Sequence, residues 1–263
     1  MIVFAAITPH SPLLIPTIGK EQTEKLALTR QAFSELEKAL YVSKVDTIVM
    51  FSPHAPMYPD AMSALVAEDF HGGLQEFGDH GTTFEMKPDF LTLDRVHRFM
   101  RSKQFPFALT DAEELDFGFS VPLLLLTSQI PSVRILPIAM SGLDAARHYE
   151  FGQLLKEILH SETSRVAVIA SADLSHHTNT NAPQGHTESG EEFDRLIREA
   201  VVKRDAESLL RIPVSLLEKA GQCGYKPILT LFGCLADMNV TPNELCYEAP
   251  FGVGYLTVRY TLG

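Results

Sequence analysis

Two pentapeptides of the same design carry the first chemical signal: Thr8-Pro9-His10-Ser11-Pro12 and Ser52-Pro53-His54-Ala55-Pro56. Each sets a hydroxyl residue, a proline, a histidine, a small residue and a second proline in that order. Proline fixes its own φ at about −65° and pushes the residue before it towards extended backbone. The imidazole between the prolines is thus held on a stiff support, which a metal ligand needs and a solvated loop histidine does not. A third apolar run, 166–170, leads into Ser171-Ala172-Asp173-Leu174-Ser175-His176-His177. Of the adjacent pair His176 and His177, one can enter a cleft shared with the other two motifs. His71, His80, His97, His148, His160 and His186 lack such a setting and read as surface residues; His80 and His186, lying in irregular stretches, are the nearest to exceptions.

Two imidazoles call for an additional anionic ligand and leave coordination positions open. With a carboxylate they make the facial arrangement of non-haem Fe(II) oxygenases, which has room for substrate and O2. With zinc the same set activates water for hydrolysis. Spacing alone leaves the metal open, and it leaves the third ligand open among Asp173, Cys223, Glu218 and Glu248.

The elements that must position these residues are legible as apolar runs and amphipathic stretches. Segments 2–7, 47–51, 133–138, 166–170 and 253–260 are short, apolar and rich in β-branched residues, as buried strands are. Segments 21–40 and 143–159 carry apolar residues on one helical face. Ser189 and Glu192 have capping-box spacing and start a helix running through Val202. Such alternation predicts an α/β sandwich with a largely parallel central sheet and helices on both faces. With no linker-like stretch and no repeat of domain size, a single domain over 1–263 is expected. The histidine motifs each follow a strand at its carboxyl end, where open α/β sheets build ligand sites. Segments 71–89 and 178–187 break the pattern and read as loops, either plain connections or covers over a site.

Composition narrows the partners. The chain has 263 residues, with 22 Lys and Arg against 33 Asp and Glu, a formal charge of −11. Such a surface repels phosphate backbones and anionic lipid, so nucleic acid and membrane are not expected partners. No apolar stretch approaches the roughly 18 to 20 residues of a membrane span. Residues 1–7 are apolar without preceding basic residues and are soon followed by Pro9 and Pro12, a first strand in pattern and not a signal peptide. The three cysteines, Cys223, Cys234 and Cys246, form no C-x-x-C pair, which suits a reducing cytoplasm. Cys234 and Cys246 read as small buried hydrophobes.

Taken together, the Pro-flanked histidines, the segment 171–176, Ala220-Gly221-Gln222-Cys223-Gly224 and Pro250-Phe251-Gly252-Val253-Gly254-Tyr255-Leu256 resemble the class III extradiol ring-cleavage dioxygenase superfamily. Within it the chain looks most like the Memo-like and AmmeMemoRadiSam-associated branch, over nearly its whole length. The resemblance implies a ferrous ion, Fe(2+), held by His10 and His54 with a third ligand from the later segment, Zn(2+) being the alternative. It implies His176 as the acid/base residue and a small aromatic substrate cleaved with O2, in a cytoplasmic protein whose copies can associate. Two departures bear on activity. Relatives commonly carry Glu where Gln222 stands, and in the Memo-like branch a cysteine matching Cys223 takes the ligand position. Ring-cleaving relatives usually place a histidine where Phe117 stands, in Leu115-Asp116-Phe117-Gly118. Gln222, Phe117 and His177 are the residues expected to shape the substrate pocket. Asp173 is expected to orient a histidine from behind, with a turn or helix-cap carboxylate as its plainer role. The expected function is extradiol cleavage of a catechol; the alternative is a catalytically silent Memo-like module that binds a metal or a partner.

Overall fold

Apolar runs that alternate with amphipathic helices have to be covered on both sides, and the computed structural model, which describes residues 1–161, 163–182 and 185–263, shows how. The strands are β1 (Ile2–Thr8), β2 (Thr47–Ser52), β3 (Met62–Val66), β4 (Phe70–Leu74), β5 (Asp79–Met86), β6 (Phe107–Asp111), β7 (Glu114–Leu115), β8 (Arg134–Ala139), β9 (Val166–Ser171), β10 (Val240–Glu248) and β11 (Tyr255–Leu262). The α-helices are α1 (Pro16–Gly19), α2 (Ala27–Val42), α3 (Phe90–Ser102), α4 (Phe117–Leu126), α5 (Ala145–Ser161), α6 (Glu188–Lys203), α7 (Ala206–Leu210), α8 (Val214–Ala220) and α9 (Tyr225–Cys234).

The main sheet has eight strands in the order β10-β11-β1-β9-β2-β8-β3-β6. Its centre, β1-β9-β2-β8, is parallel. Antiparallel pairing joins β11 to β1 on one side and β3 to β8 on the other. Every residue of β2 and β9 is buried, as a strand covered on both faces requires. On one face Phe33, Leu36 and Leu40 of α2 pack with Phe119 and Leu123 of α4. On the other, Phe151 and Leu155 of α5 join Phe193 and Ile197 of α6 and Ile228 and Leu231 of α9. The expected sandwich is therefore present. Among the described residues, no helix is long and apolar enough to cross a membrane.

Several local readings are corrected. Segment 71–89 is not irregular: β4 and β5 pair antiparallel, with Phe70 opposite Met86 and Gly72 opposite Phe84. Glycines and charged residues on an outlying three-stranded sheet hid the alternation that marks strands elsewhere. In segment 21–40 the first part, Lys20–Leu26, is a 3-10 helix and the α-helix begins at Ala27. Helix α6 is capped by Thr187, whose side chain accepts from the Gly190 N–H at 3.1 Å, and not by Ser189. In segment 178–187, residues 183 and 184 lie outside the described residues. His148 is not a surface residue but fully buried. Its Nδ1 donates to the Asp144 carbonyl at 2.8 Å and its Nε2 accepts from the Ser141 N–H at 3.3 Å. Those bonds let an imidazole replace an apolar side chain on the inner face of α5, and burial pushes its pKa down to about 4.

Candidate metal centre

Register brings the site together. Strand β9 lies between β1 and β2, with Thr8 opposite Ser171 and Phe51 opposite Ala170, so the three strands end level. His10, Asp173 and His54 each stand two residues beyond their strand and emerge side by side. The His10 N–H donates to Asp173 Oδ1 at 2.9 Å, and the His54 N–H donates to Ser52 Oγ at 3.2 Å. Cys223 arrives from the turn before α9, where Gly221 takes a left-handed φ of 56°. His10 Nε2 lies 3.0 Å from His54 Nε2 and 3.4 Å from Cys223 Sγ. Ligand atoms of all three residues fall within 4.8 Å of one another. Two nitrogens each about 2.1 Å from one ion stand roughly 3.0 to 3.4 Å apart, and a sulfur somewhat further. The His10–His54 and His10–Cys223 separations have the spacing that a shared cation demands.

Protonation at His10 follows from hydrogen-bond accounting. Ser171 Oγ has one proton, and it donates that proton to the Gly118 carbonyl, which can only accept. The 2.8 Å contact between Ser171 Oγ and His10 Nδ1 therefore has Nδ1–H as donor. His10 Nε2 is left with its lone pair directed at His54 and Cys223, the tautomer that a metal ligand uses. Burial first, and then the charge of nearby His176, push the His10 pKa down to about 3. His54 is exposed on one side, and the protein packed on its other side, then His10, push its pKa down. Both rings are neutral at neutral pH.

Beside this pair sits Asp173, buried, with Oδ2 at 3.7 Å from His10 Nε2. Burial raises its carboxyl to about 6 against the opposing His10 N–H. It fixes the main chain of His10, so the reading of Asp173 as a helix cap does not describe it. His176 is half-buried, and among the described residues its Nε2 has no hydrogen-bond partner. Burial lowers its pKa, with Asp173 pulling the other way. His177 is turned elsewhere: its Nδ1 donates to the Gly185 carbonyl at 2.8 Å, and its ring lies where a side chain on Gly221 would be.

Phe117 starts α4, behind Asp116, whose Oδ1 accepts from the Gly118 N–H at 2.7 Å and from Ser52 Oγ at 2.8 Å. Its ring stacks on His54 with centroids 4.3 Å apart and meets His10 edge-on at 5.6 Å. Phe77, at the tip of the β4–β5 hairpin, packs on the far side of Phe117 at 5.3 Å. An aromatic wall thus closes one side of the imidazoles. On the Cys223 side lies a cleft of about 700 Å³, lined by Cys223, Gln222, Pro53 and Lys226 among others; of the three donors only Cys223 is among its lining residues. Gln222 also caps α9, its Oε1 accepting from the Tyr225 N–H at 2.9 Å. Phe117 and His177, expected in the pocket, are not among the described residues that line this cleft, because their rings are committed to His54 and to Gly185. Of the other candidate ligands, Glu248 accepts from the Thr29 N–H at 2.8 Å and Glu218 lies along the cleft. Burial and then Asp173 push the Cys223 thiol up, so a thiolate there depends on a cation beside it.

Sequence reasoning missed three supports. Ser171 was visible as the hydroxyl ending β9, by analogy with Thr8 and Ser52. Lys226 and Asp194 gave no such signal. Asp194 is buried on α6 and accepts from the Ser175 N–H at 2.8 Å and from the Tyr247 hydroxyl at 2.7 Å, anchoring the segment that carries Asp173 and His176. Burial raises its carboxyl to about 7 against those bonds and Arg198. The folded chain thus holds this proton more tightly than the unfolded chain. The group's contribution to stability is complete below about pH 4 and is lost as pH rises through 7. Asp194→Asn, which can accept from Ser175 and donate to Tyr247, is expected to gain on the parent by about 2 kcal/mol between pH 5 and pH 8 in urea unfolding. A difference that stays flat with pH would refute it.

Comparison with known proteins follows the same outline. A family model described as the catalytic LigB subunit of aromatic ring-opening dioxygenase matches residues 4–258. The Clostridium acetobutylicum protein CA_C1420 is 24% identical over 258 residues, which is 95% of this chain but 55% of that protein, so the chain spans about half its length. A MEMO1 family protein of Methanococcoides burtonii is 26% identical over 248 residues, covering 92% of this chain and 78% of that one. Among solved structures, the uncharacterized protein JW3007 from Escherichia coli K12 has a similar fold, with a TM-score of 0.67 at 16% identity over 99% of this chain and 100% of that one.

Proposed function

The chain belongs to the family of the catalytic LigB subunit of aromatic ring-opening dioxygenase, with its likeness to a MEMO1 family protein supporting the Memo-like branch, and from that membership we propose a metal-dependent dioxygenase-like enzyme. Its reaction in this reading is extradiol cleavage of a small catechol with O2, carried by one domain over 1–263 acting in the cytoplasm. The observation that supports it best is the convergence of His10, His54 and Cys223, the last of which also lines an open cleft. The bound cation, Fe(2+) in this reading with Zn(2+) as the alternative, supplies acidification of a coordinated hydroxyl and the redox step with O2.

The chain's own residues divide the remaining work. His10 and His54 bind as neutral imidazoles, with Ser171 holding the His10 tautomer and Asp173 its backbone. His176, whose buried Nε2 has no hydrogen-bond partner among the described residues, is placed to take a proton from an incoming hydroxyl. Phe117 and Phe77 keep water from one side of the imidazoles, so substrate enters from the Cys223 side.

The test is anaerobic loading with Fe(2+), followed by O2 and a panel of catechols. A strongly absorbing ring-opened product, absent in His10→Ala, is the expected result. Protein that binds the ion and opens none of the catechols favours the second reading, a catalytically silent metal-binding module. That reading has its own support: a phenyl ring, which donates no hydrogen bond, is stacked on His54 where ring-cleaving relatives usually carry a histidine.

A further inference from the structure

The cleft beside Cys223 is much larger than a bare catechol requires. It measures about 700 Å³, whereas an apolar cavity of about 150 Å³ holds a benzene ring. Much of its wall beyond Cys223 is aliphatic. Met57 comes from the turn after β2, Met140 and Leu143 from the turn after β8, and Ile212, Val214 and Leu217 from the approach to α8 and α8 itself. Charge in the cleft does not ask for an anion. Lys226 already donates to the Ser141 carbonyl at 2.6 Å and feels Asp144, while Asp144 and Glu218 both line the same walls. One cation against two carboxylates, in a chain of formal charge −11, opposes an anionic ligand.

We propose that the substrate is a catechol carrying a neutral aliphatic chain, the diol at the metal centre and the chain lying along Met57, Ile212, Val214 and Leu217. The inference rests on the metal-centre reading above and adds the substrate class. Flexible Met and branched aliphatic side chains suit a chain of several methylenes better than a second ring, because they repack along a thin ligand.

The experiment uses protein loaded with Zn(2+), which is redox-silent, and measures dissociation constants by calorimetry for catechol, 4-ethylcatechol, 4-butylcatechol and 4-hexylcatechol. Affinity is expected to rise roughly two- to fourfold per added methylene along the series. The carboxylated analogue 3,4-dihydroxybenzoate is expected to bind no tighter than catechol. In Met57→Asp/Val214→Asp, whose parent side chains are 56% and 68% exposed so that the fold is spared, the gradient should flatten. A constant that does not change with chain length, a gradient that survives the double variant, or tighter binding of the carboxylate overturns the proposal. Because no ring is opened on this ion, failure here is distinct from failure of the dioxygenase reading. Protein that takes up neither Zn(2+) nor, under anaerobic conditions, Fe(2+) overturns both, before any catechol is added.

Discussion

Cys223→Ser is expected to weaken cation binding by more than about 100-fold, read by competition with a chromogenic chelator, while Cys246→Ser leaves it unchanged. The asymmetry comes from position alone. Cys223 Sγ is 3.4 Å from His10 Nε2, whereas Cys246 Sγ faces Thr29 Oγ1 at 3.8 Å on the edge strand β10. A serine hydroxyl fits the same space but stays protonated and neutral, so it cannot supply the anionic donor that offsets a divalent charge. Ser171→Ala, which removes the acceptor that sets the His10 tautomer together with the bond to the Gly118 carbonyl, should fall between them, with a loss of about 10- to 100-fold. Equal affinity in Cys223→Ser and Cys246→Ser would take the thiolate out of the site.

Gly233→Val is expected to lower stability by about 3 kcal/mol or more, measured as a shift in the urea midpoint. Helices α5 and α9 touch through backbone at this point. A Cβ on Gly233 would lie 2.1 Å from the Tyr149 carbonyl oxygen and 2.8 Å from the Gly152 Cα, and a Cβ on Gly152 would meet the Thr230 carbonyl oxygen at 2.1 Å. None of these atoms can rotate away, so the helices must separate or unfold. The cost reaches the site because α9 carries Lys226 in its first turn and Cys223 just before it. Variant protein that remains folded should therefore also bind the cation more weakly. An unchanged midpoint would show that the close helix packing is relaxed in solution.

The centre of the fold was legible in sequence because its physics is local. β1, β2, β8, β9 and β11 are apolar runs, and the five expected segments fall on them within two residues. Proline on both sides of His10 and His54 marked those residues without any knowledge of the fold. What escaped was set by tertiary context. Helix α4, Phe117–Leu126, is apolar nearly all round and so has no amphipathic period to detect; it is recognisable only once α2 covers it. The hairpin β4–β5 carries glycines where a strand pattern needs side chains. Which of Asp173, Cys223, Glu218 and Glu248 meets the imidazoles depended on how α9 docks on the sheet, and chain spacing holds no record of that. His148 shows the same limit from the other side: its partners Asp144 and Ser141 stand only four and seven residues before it, but its burial depends on how α5 packs.

The order of strands β1-β9-β2 has a consequence for how the protein comes to hold an ion. His10 and His54 are 44 residues apart and Cys223 is 213 residues from His10, yet their donor atoms meet only because a strand from the second half of the chain is inserted between two from the first. A nascent or unfolded polypeptide therefore offers scattered donors and no chelate. On the proposed reading, tight cation capture is expected only after the last central strand has zipped into place, which makes occupancy a certificate of completed assembly.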